Sequence, residues 1–124
     1  MTVWGEYVAN QVVKLMLKKG IQVLGSNILI MGFTFKENCP DVRNTKVIDI
    51  FNALQEYNLN ITVFDPWANP QIVDKEYGIS VVNELPDSKF DSVILAVCHD
   101  AFQDIQVNTL RKDNSVLYDV KGDL

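Results

Sequence analysis

Asn27-Ile28-Leu29-Ile30-Met31-Gly32-Phe33 runs directly into Thr34-Phe35-Lys36-Glu37-Asn38-Cys39-Pro40-Asp41-Val42-Arg43-Asn44-Thr45. The first part is a short apolar run that reads as a buried strand. Thr45 precedes a helical pattern of Val47, Ile48, Phe51 and Leu54. The residues between them form a charged loop at a strand's carboxyl end. In open α/β sheets ligands bind at that edge, where the free N–H groups and positive dipole end of the next helix favour anions. Lys36, Arg43 and Lys46 bring positive charge to this loop in a chain that is acidic overall.

Outward from this stretch, strand and helix signals alternate. The reading is strand 27–33, helix 45–57, strand 60–65, helix 70–77, strands 79–82 and 91–97, short helices near 101–104 and 108–111, and strand 115–120. Alternation of this kind predicts a parallel sheet covered by helices. Asn69-Pro70 reads as a helix cap and first helical position, with Gly78 as the stop of the same helix. Val93-Ile94-Leu95-Ala96-Val97 is continuously apolar, as a central parallel strand requires. Ahead of the sheet, Thr2 to Lys19 carries Trp4, Val8, Val12, Leu15 and Met16 at helical spacing, with Lys18 and Lys19 in the last turn and Gly20 as the stop. Tyr7, Val13 and Leu17 lie off that stripe, so the helix is expected to pack against more than one neighbour. The expected fold class is α/β: a Rossmann-like, mostly parallel sheet with helices on both faces, preceded by an N-terminal helix.

At 124 residues the chain suits one domain with a substantial core. Hydrophobic residues make up 48% and charged residues 22%, ordinary values for a soluble globular protein. A net charge of −5 with no basic stripe argues against a nucleic-acid partner held through phosphates. No apolar run approaches the roughly 20 residues that span a bilayer. Met1-Thr2-Val3-Trp4-Gly5-Glu6 lacks the basic start of a signal peptide, so a cytoplasmic location without a membrane partner is expected. Cys39 and Cys98 have no CxxC spacing and His99 is the lone histidine, which leaves no zinc set and no expected metal site.

Several residues carry two readings. Asp65, ending Ile61-Thr62-Val63-Phe64-Asp65, stands where a dinucleotide-binding fold places its ribose ligand. The first turn, Gly32-Phe33-Thr34-Phe35-Lys36, lacks the GxGxxG glycines, and Phe33 and Phe35 are expected to block a dinucleotide there. Asp65 is therefore read as structural, capping the turn with Pro66. Lys36 is either an exposed lysine beside a core phenylalanine or a phosphate ligand, with Phe35 offering a ring face to a base. Arg43 either pairs with Asp41 to pin the loop or faces a ligand. Cys39 has no neighbouring base to activate it as a nucleophile. His99-Asp100 reads as a polar strand end, with Asp100 as a helix cap.

The spacing Phe-Lys-x-x-x-x-Asp-x-Arg-x-Thr, here Phe35, Lys36, Asp41, Arg43 and Thr45, resembles the signature of the C-terminal domain of the UDP-glucose/GDP-mannose dehydrogenase family. The fuller Phe-Lys-Glu-Asn-Cys-Pro-Asp-x-Arg-Asn-Thr is similar to the bacterial branch that oxidises UDP-N-acetylhexosamines to uronic acids. Val63-Phe64-Asp65-Pro66 and Leu117-Tyr118-Asp119-Val120-Lys121-Gly122 fit the same pattern, so the likeness spans nearly the whole chain. The resemblance implies that Phe35 and Lys36 contact the UDP-sugar. Lys121 stands at the corresponding point after the last strand, where many relatives carry Asp-Gly-Arg. Arg43 is implied to face the NAD cofactor, with Asp41 either as its organiser or as an anion at the helix N-terminus. The family's nucleophilic cysteine lies in a segment ahead of the positions present here, so no catalytic residue is assigned.

By the same resemblance, residues 1–24 are the end of the helix linking two domains and residues 25–124 are the UDP-sugar-binding C-terminal domain. Met1 interrupts that helix, so the chain is expected to be part of a longer protein. The expected function is the UDP-sugar-binding part of an NAD-dependent nucleotide-sugar 6-dehydrogenase of polysaccharide synthesis. Alone it is expected to bind without oxidising. Its expected partners are the UDP-sugar, the N-terminal domain that holds most of the NAD, and further copies of itself as a homo-oligomer. Two rivals stand beside this reading. One is a stand-alone nucleotide-binding regulatory module. The other, a flavodoxin-like receiver domain, requires clustered acidic residues after the first strand, where Phe35-Lys36 stands instead.

Overall fold

The computed structural model, which describes residues 3–34, 46–97, 99–100, 102 and 105–120, places the Asn27–Met31 run at the centre of a five-stranded sheet. The elements follow in the order α1 (Val3–Lys18), β1 (Asn27–Met31), α2 (Val47–Gln55), β2 (Asn60–Phe64), α3 (Pro70–Tyr77), β3 (Val81–Val82), β4 (Phe90–Leu95), a 3-10 turn (Val107–Leu110) and β5 (Arg111–Asp119). All the strand pairs are parallel and the spatial order is β3-β2-β1-β4-β5, a Rossmann-like arrangement. The chain reverses its direction of travel across the sheet between β1 and β4. Met31 is level with both Phe64 and Leu95, so the three central strands end together.

Both faces of the sheet are buried, which is why the central strands are uninterrupted apolar runs rather than alternating ones. Ile28, Ile30, Val63, Ile94 and Val116 share one core with Val8, Val12 and Met16 of α1, Ile50 and Leu54 of α2, and Val73 of α3. Leu29, Met31, Phe64, Val93 and Leu95 face the other way, onto Phe102, Ile105, Val107 and Leu110. Thus the three α-helices cover one face, while the connection from β4 to β5, including its 3-10 turn, covers the other.

The N-terminal helix buries Val8, Ala9, Val12, Val13 and Met16, whereas Leu15 of the expected stripe is 37% exposed. The buried stripe is therefore rotated toward Ala9 and Val13. The helix packs on both α2 and β5, as its broad apolar surface implied. Gly5 makes the crossing with α2 possible, because a Cβ there would lie 2.4 Å from Asp49 Cβ. At its other end, Lys19 donates its Nζ to the Ser115 carbonyl, and Asn114 donates its side-chain amide to the Lys19 carbonyl.

The caps of α3 match the sequence reading. Asn69 accepts the N–H groups of Gln71 and Ile72, Pro70 opens the helix, and Gly78 closes it at φ 70°. Helix α2 ends at Gln55 rather than 57, since Asn58 turns left-handed at φ 58° and its carbonyl accepts from Gly25. β4 stops before 97 because the N–H groups of Ala96 and Val97 both turn onto the Met31 carbonyl. β5 begins at Arg111 instead of 115. Its exposed Lys112, Asp113 and Asn114 carry no strand pattern, and an irregularity between Phe90 and Ser92 brings Phe90 opposite Arg111. Among the described residues no helix is long and apolar enough to cross a membrane.

Candidate functional site

Because β1 and β2 are parallel neighbours, α2 runs back between them, with its N-terminus toward the carboxyl edge of the sheet where β1, β2 and β4 end. These ends are tied together by main-chain bonds. Gly32 N–H donates to Phe64 at 2.8 Å, Ala96 N–H to Met31 at 2.9 Å, Asp65 N–H to Val82 at 3.0 Å, and Val120 N–H to Leu95 at 3.0 Å. Gly32 is at φ 97°, and a Cβ on it would meet Val97 Cβ at 2.6 Å and Val97 N at 2.7 Å. A glycine is required there on both counts.

Asp65 is the hub of this edge and has no exposed surface. Its Oδ2 accepts the N–H groups of Phe33 at 2.6 Å and Thr34 at 3.1 Å, and its Oδ1 accepts those of Trp67 at 2.7 Å and Ala68 at 3.2 Å. His99 Nε2 lies 2.9 Å from Oδ2. An ionised carboxylate can only accept, so Nε2 carries the proton of this bond. Thr34 Oγ1 is 3.2 Å from the same nitrogen. The carbonyls of Asp65 and Ala68 both accept from the Asn83 side-chain amide, which extends the network to β3. His99 itself is 1% exposed, edge-on to Phe102 at 5.3 Å and 6.4 Å from the ring of Trp67.

Burial by itself pushes the Asp65 carboxyl up. The hydrogen bond and charge of His99, with the N–H groups of Phe33 and Trp67, outweigh it and hold the group below its ordinary value of 3.8. The structural reading of Asp65 is therefore what the geometry shows, and it caps the turn at Pro66 as expected. His99 stands just past the end of β4, as read, and its ring is interior and paired. Asp65 and His99 are far apart in sequence. Their meeting was recoverable only by seeing that β2 and β4 flank β1 and that both residues stand just past the carboxyl ends of those strands.

The carboxylate that a dinucleotide-binding fold would offer to a ribose is here engaged by four backbone N–H groups and His99, and Val97 packs directly against Gly32. Phe33, expected to block a dinucleotide there, instead turns fully into the core, edge-on to Tyr77 with centroids 5.4 Å apart. Phe35, Lys36, Cys39, Asp41, Arg43, Cys98 and Lys121 lie outside the described residues. In sequence, Phe35 follows Thr34 and Lys121 follows Val120, the last residues described at this edge. No group of three or more potential metal ligands occurs among the described residues.

A profile of the UDP-glucose/GDP-mannose dehydrogenase family, UDP binding domain, matches residues 29–124. The chain is 48% identical over 120 residues to UDP-N-acetyl-D-glucosamine 6-dehydrogenase of Salmonella typhi, covering 94% of this chain and 28% of that protein. The protein of the same name from Pseudomonas aeruginosa is also 48% identical over 120 residues, with the same shares covered. The chain thus spans little more than a quarter of the length of these relatives. In fold it is similar to the crystal structure of NDP-N-acetyl-D-galactosaminuronic acid dehydrogenase from Methanosarcina mazei Go1, with a TM-score of 0.79 and 18% identity over 91% of this chain and 24% of that one. On the match across residues 29–124, this chain belongs to the UDP-glucose/GDP-mannose dehydrogenase family and corresponds to its UDP binding domain.

Proposed function

We propose that residues 25–124 hold the UDP moiety of a UDP-N-acetylhexosamine within an NAD-dependent 6-dehydrogenase, and that residues 1–24 are the end of the helix joining this domain to the rest of the enzyme. The observation that carries the reading is the 48% identity with the UDP-N-acetyl-D-glucosamine 6-dehydrogenase of Salmonella typhi across nearly the whole chain. Phe35, Lys36 and Lys121 are the UDP-sugar contacts and Arg43 faces the nicotinamide cofactor. The cofactor is held mainly by another domain, in keeping with the absence of a GxGxxG turn after β1. NAD would supply hydride acceptance, two molecules of it, one for each two-electron step, taking the sugar's C6 alcohol with one water to the carboxylate of a uronic acid for polysaccharide synthesis. The enzyme works in the cytoplasm as a homo-oligomer.

The positive loop residues and the N-terminus of α2 support a diphosphate at this edge, since aligned peptide dipoles and ammonium groups stabilise negative charge there. Titration of the chain with UDP, followed by amide NMR, tests the reading. Shifts centred on Phe35, Lys36 and Lys121 are expected. Shifts confined to the face of α3 would overturn it. Incubated with UDP-N-acetylglucosamine and NAD, this chain by itself is expected to form no NADH.

A further inference from the structure

We propose that Asp65 and His99 are positioning residues for UDP, holding Phe33 and Thr34, the residues that immediately precede Phe35 and Lys36 in the chain; this rests on the UDP-binding reading above. Neither residue needs to touch the nucleotide.

The position of the bonds carries the inference. The sheet ladder already joins the exits of β1, β2 and β4 through Gly32, Phe64, Met31 and Ala96. Asp65 adds bonds farther along, to the N–H groups of Phe33 and Thr34, and His99 reaches the Thr34 hydroxyl. Thr34 immediately precedes Phe35-Lys36. One buried carboxylate, backed by one buried imidazole, therefore clamps the root of the segment to which the phosphate contacts are assigned. A buried carboxylate held by polar partners is a poor source of net stability, because well-packed apolar side chains of similar volume often do as well or better. Its use here is geometric: charge-assisted bonds from the exits of three neighbouring strands leave Thr34 a single orientation. Small displacements of a contact far from the chemistry are costly when binding depends on placement.

The experiment measures UDP affinity by calorimetry and thermal midpoint for the wild-type chain and for Lys36→Ala, His99→Leu, His99→Gln and Thr34→Val. His99→Leu removes the N–H, whereas His99→Gln can present an amide N–H close to Nε2. Thr34→Val removes only the hydroxyl and keeps the shape. His99→Leu is expected to weaken UDP binding about tenfold, as Thr34→Val does to a lesser degree, and His99→Gln is expected to stay within about threefold of wild type. A His99→Leu chain that melts lower but binds UDP as wild type does overturns the positioning role while Lys36→Ala still weakens binding. Should His99→Leu fail to fold, wild-type affinity in Thr34→Val overturns the role equally. A wild-type chain that does not bind UDP overturns the underlying reading, and the positioning role for UDP falls with it.

Discussion

Gly32 and Val97 meet so closely that no side chain fits between them: an added Cβ would lie 2.6 Å from Val97 Cβ and 2.7 Å from its backbone nitrogen and oxygen. The obstacle is largely main chain, which cannot rotate away, and φ of 97° adds backbone strain to any L-residue. Gly32→Ala is therefore expected to cost more than about 2 kcal/mol, by combining a clash with a strained dihedral. Urea denaturation of the two chains checks this. A midpoint within error of wild type would mean that the exits of β1 and β4 are farther apart than they stand here.

Acid should weaken the fold through Asp65. Its carboxyl is held below the ordinary 3.8, so the folded state keeps the group ionised more readily than the unfolded chain does. The sign follows from linkage: the stabilisation is fully present above that ordinary value and is lost as pH falls through the lower, folded one. Asp65→Asn cannot ionise and should flatten this acid branch. At neutral pH it should be destabilised on the order of 3 kcal/mol, because it leaves buried N–H donors poorly matched. Urea midpoints at pH 7, 4 and 3 for both chains provide the check, and parallel pH profiles would remove Asp65 as the source.

Regular elements with one dominant signal were legible in the sequence. Asn69, Pro70 and Gly78 bracket α3 because each residue has a local physical reason to stand where it does. The apolar run at 93–97 announces a strand buried on both faces. What could not be read locally depended on another part of the chain. The end of β4 is set by the Met31 carbonyl, and the polar start of β5 by pairing opposite Phe90. His99 read only as a polar strand end because its partner Asp65 follows a different strand. Around the candidate site, the missing glycines after β1 were legible, but the packing there was not: Val97 lies against Gly32, while Phe33 belongs to the core.

Gly5 offers a contest between two effects of opposite sign. Alanine is favoured over glycine inside a helix by about 1 kcal/mol, so Gly5→Ala considered on α1 alone would stabilise. Here the new methyl group would sit 2.4 Å from Asp49 Cβ and 2.8 Å from its carbonyl carbon, forcing α1 away from α2. Overpacking of this kind typically costs about 1–3 kcal/mol, so a net loss is expected. A raised thermal midpoint in Gly5→Ala would show that α1 shifts on α2 at little cost.

Lys36 and Arg43 provide the test that separates substrate from cofactor, carried out within a complete 6-dehydrogenase of the kind proposed above. Under the proposed roles, Lys36→Ala raises KM for the UDP-sugar and leaves KM for NAD near its original value, whereas Arg43→Ala does the reverse. Removal of one charged hydrogen bond is worth about 1.5–3 kcal/mol, roughly ten- to a hundredfold in kcat/KM for the affected substrate. If Arg43 instead pins its own loop by pairing with Asp41, both substrates suffer together and the thermal midpoint falls. In that case Asp41→Ala should reproduce the Arg43→Ala phenotype, and the double variant should be no worse than either single one, since partners in one pair are not additive. A cofactor-facing Arg43 predicts the opposite pattern, with the NAD defect tracking Arg43 alone.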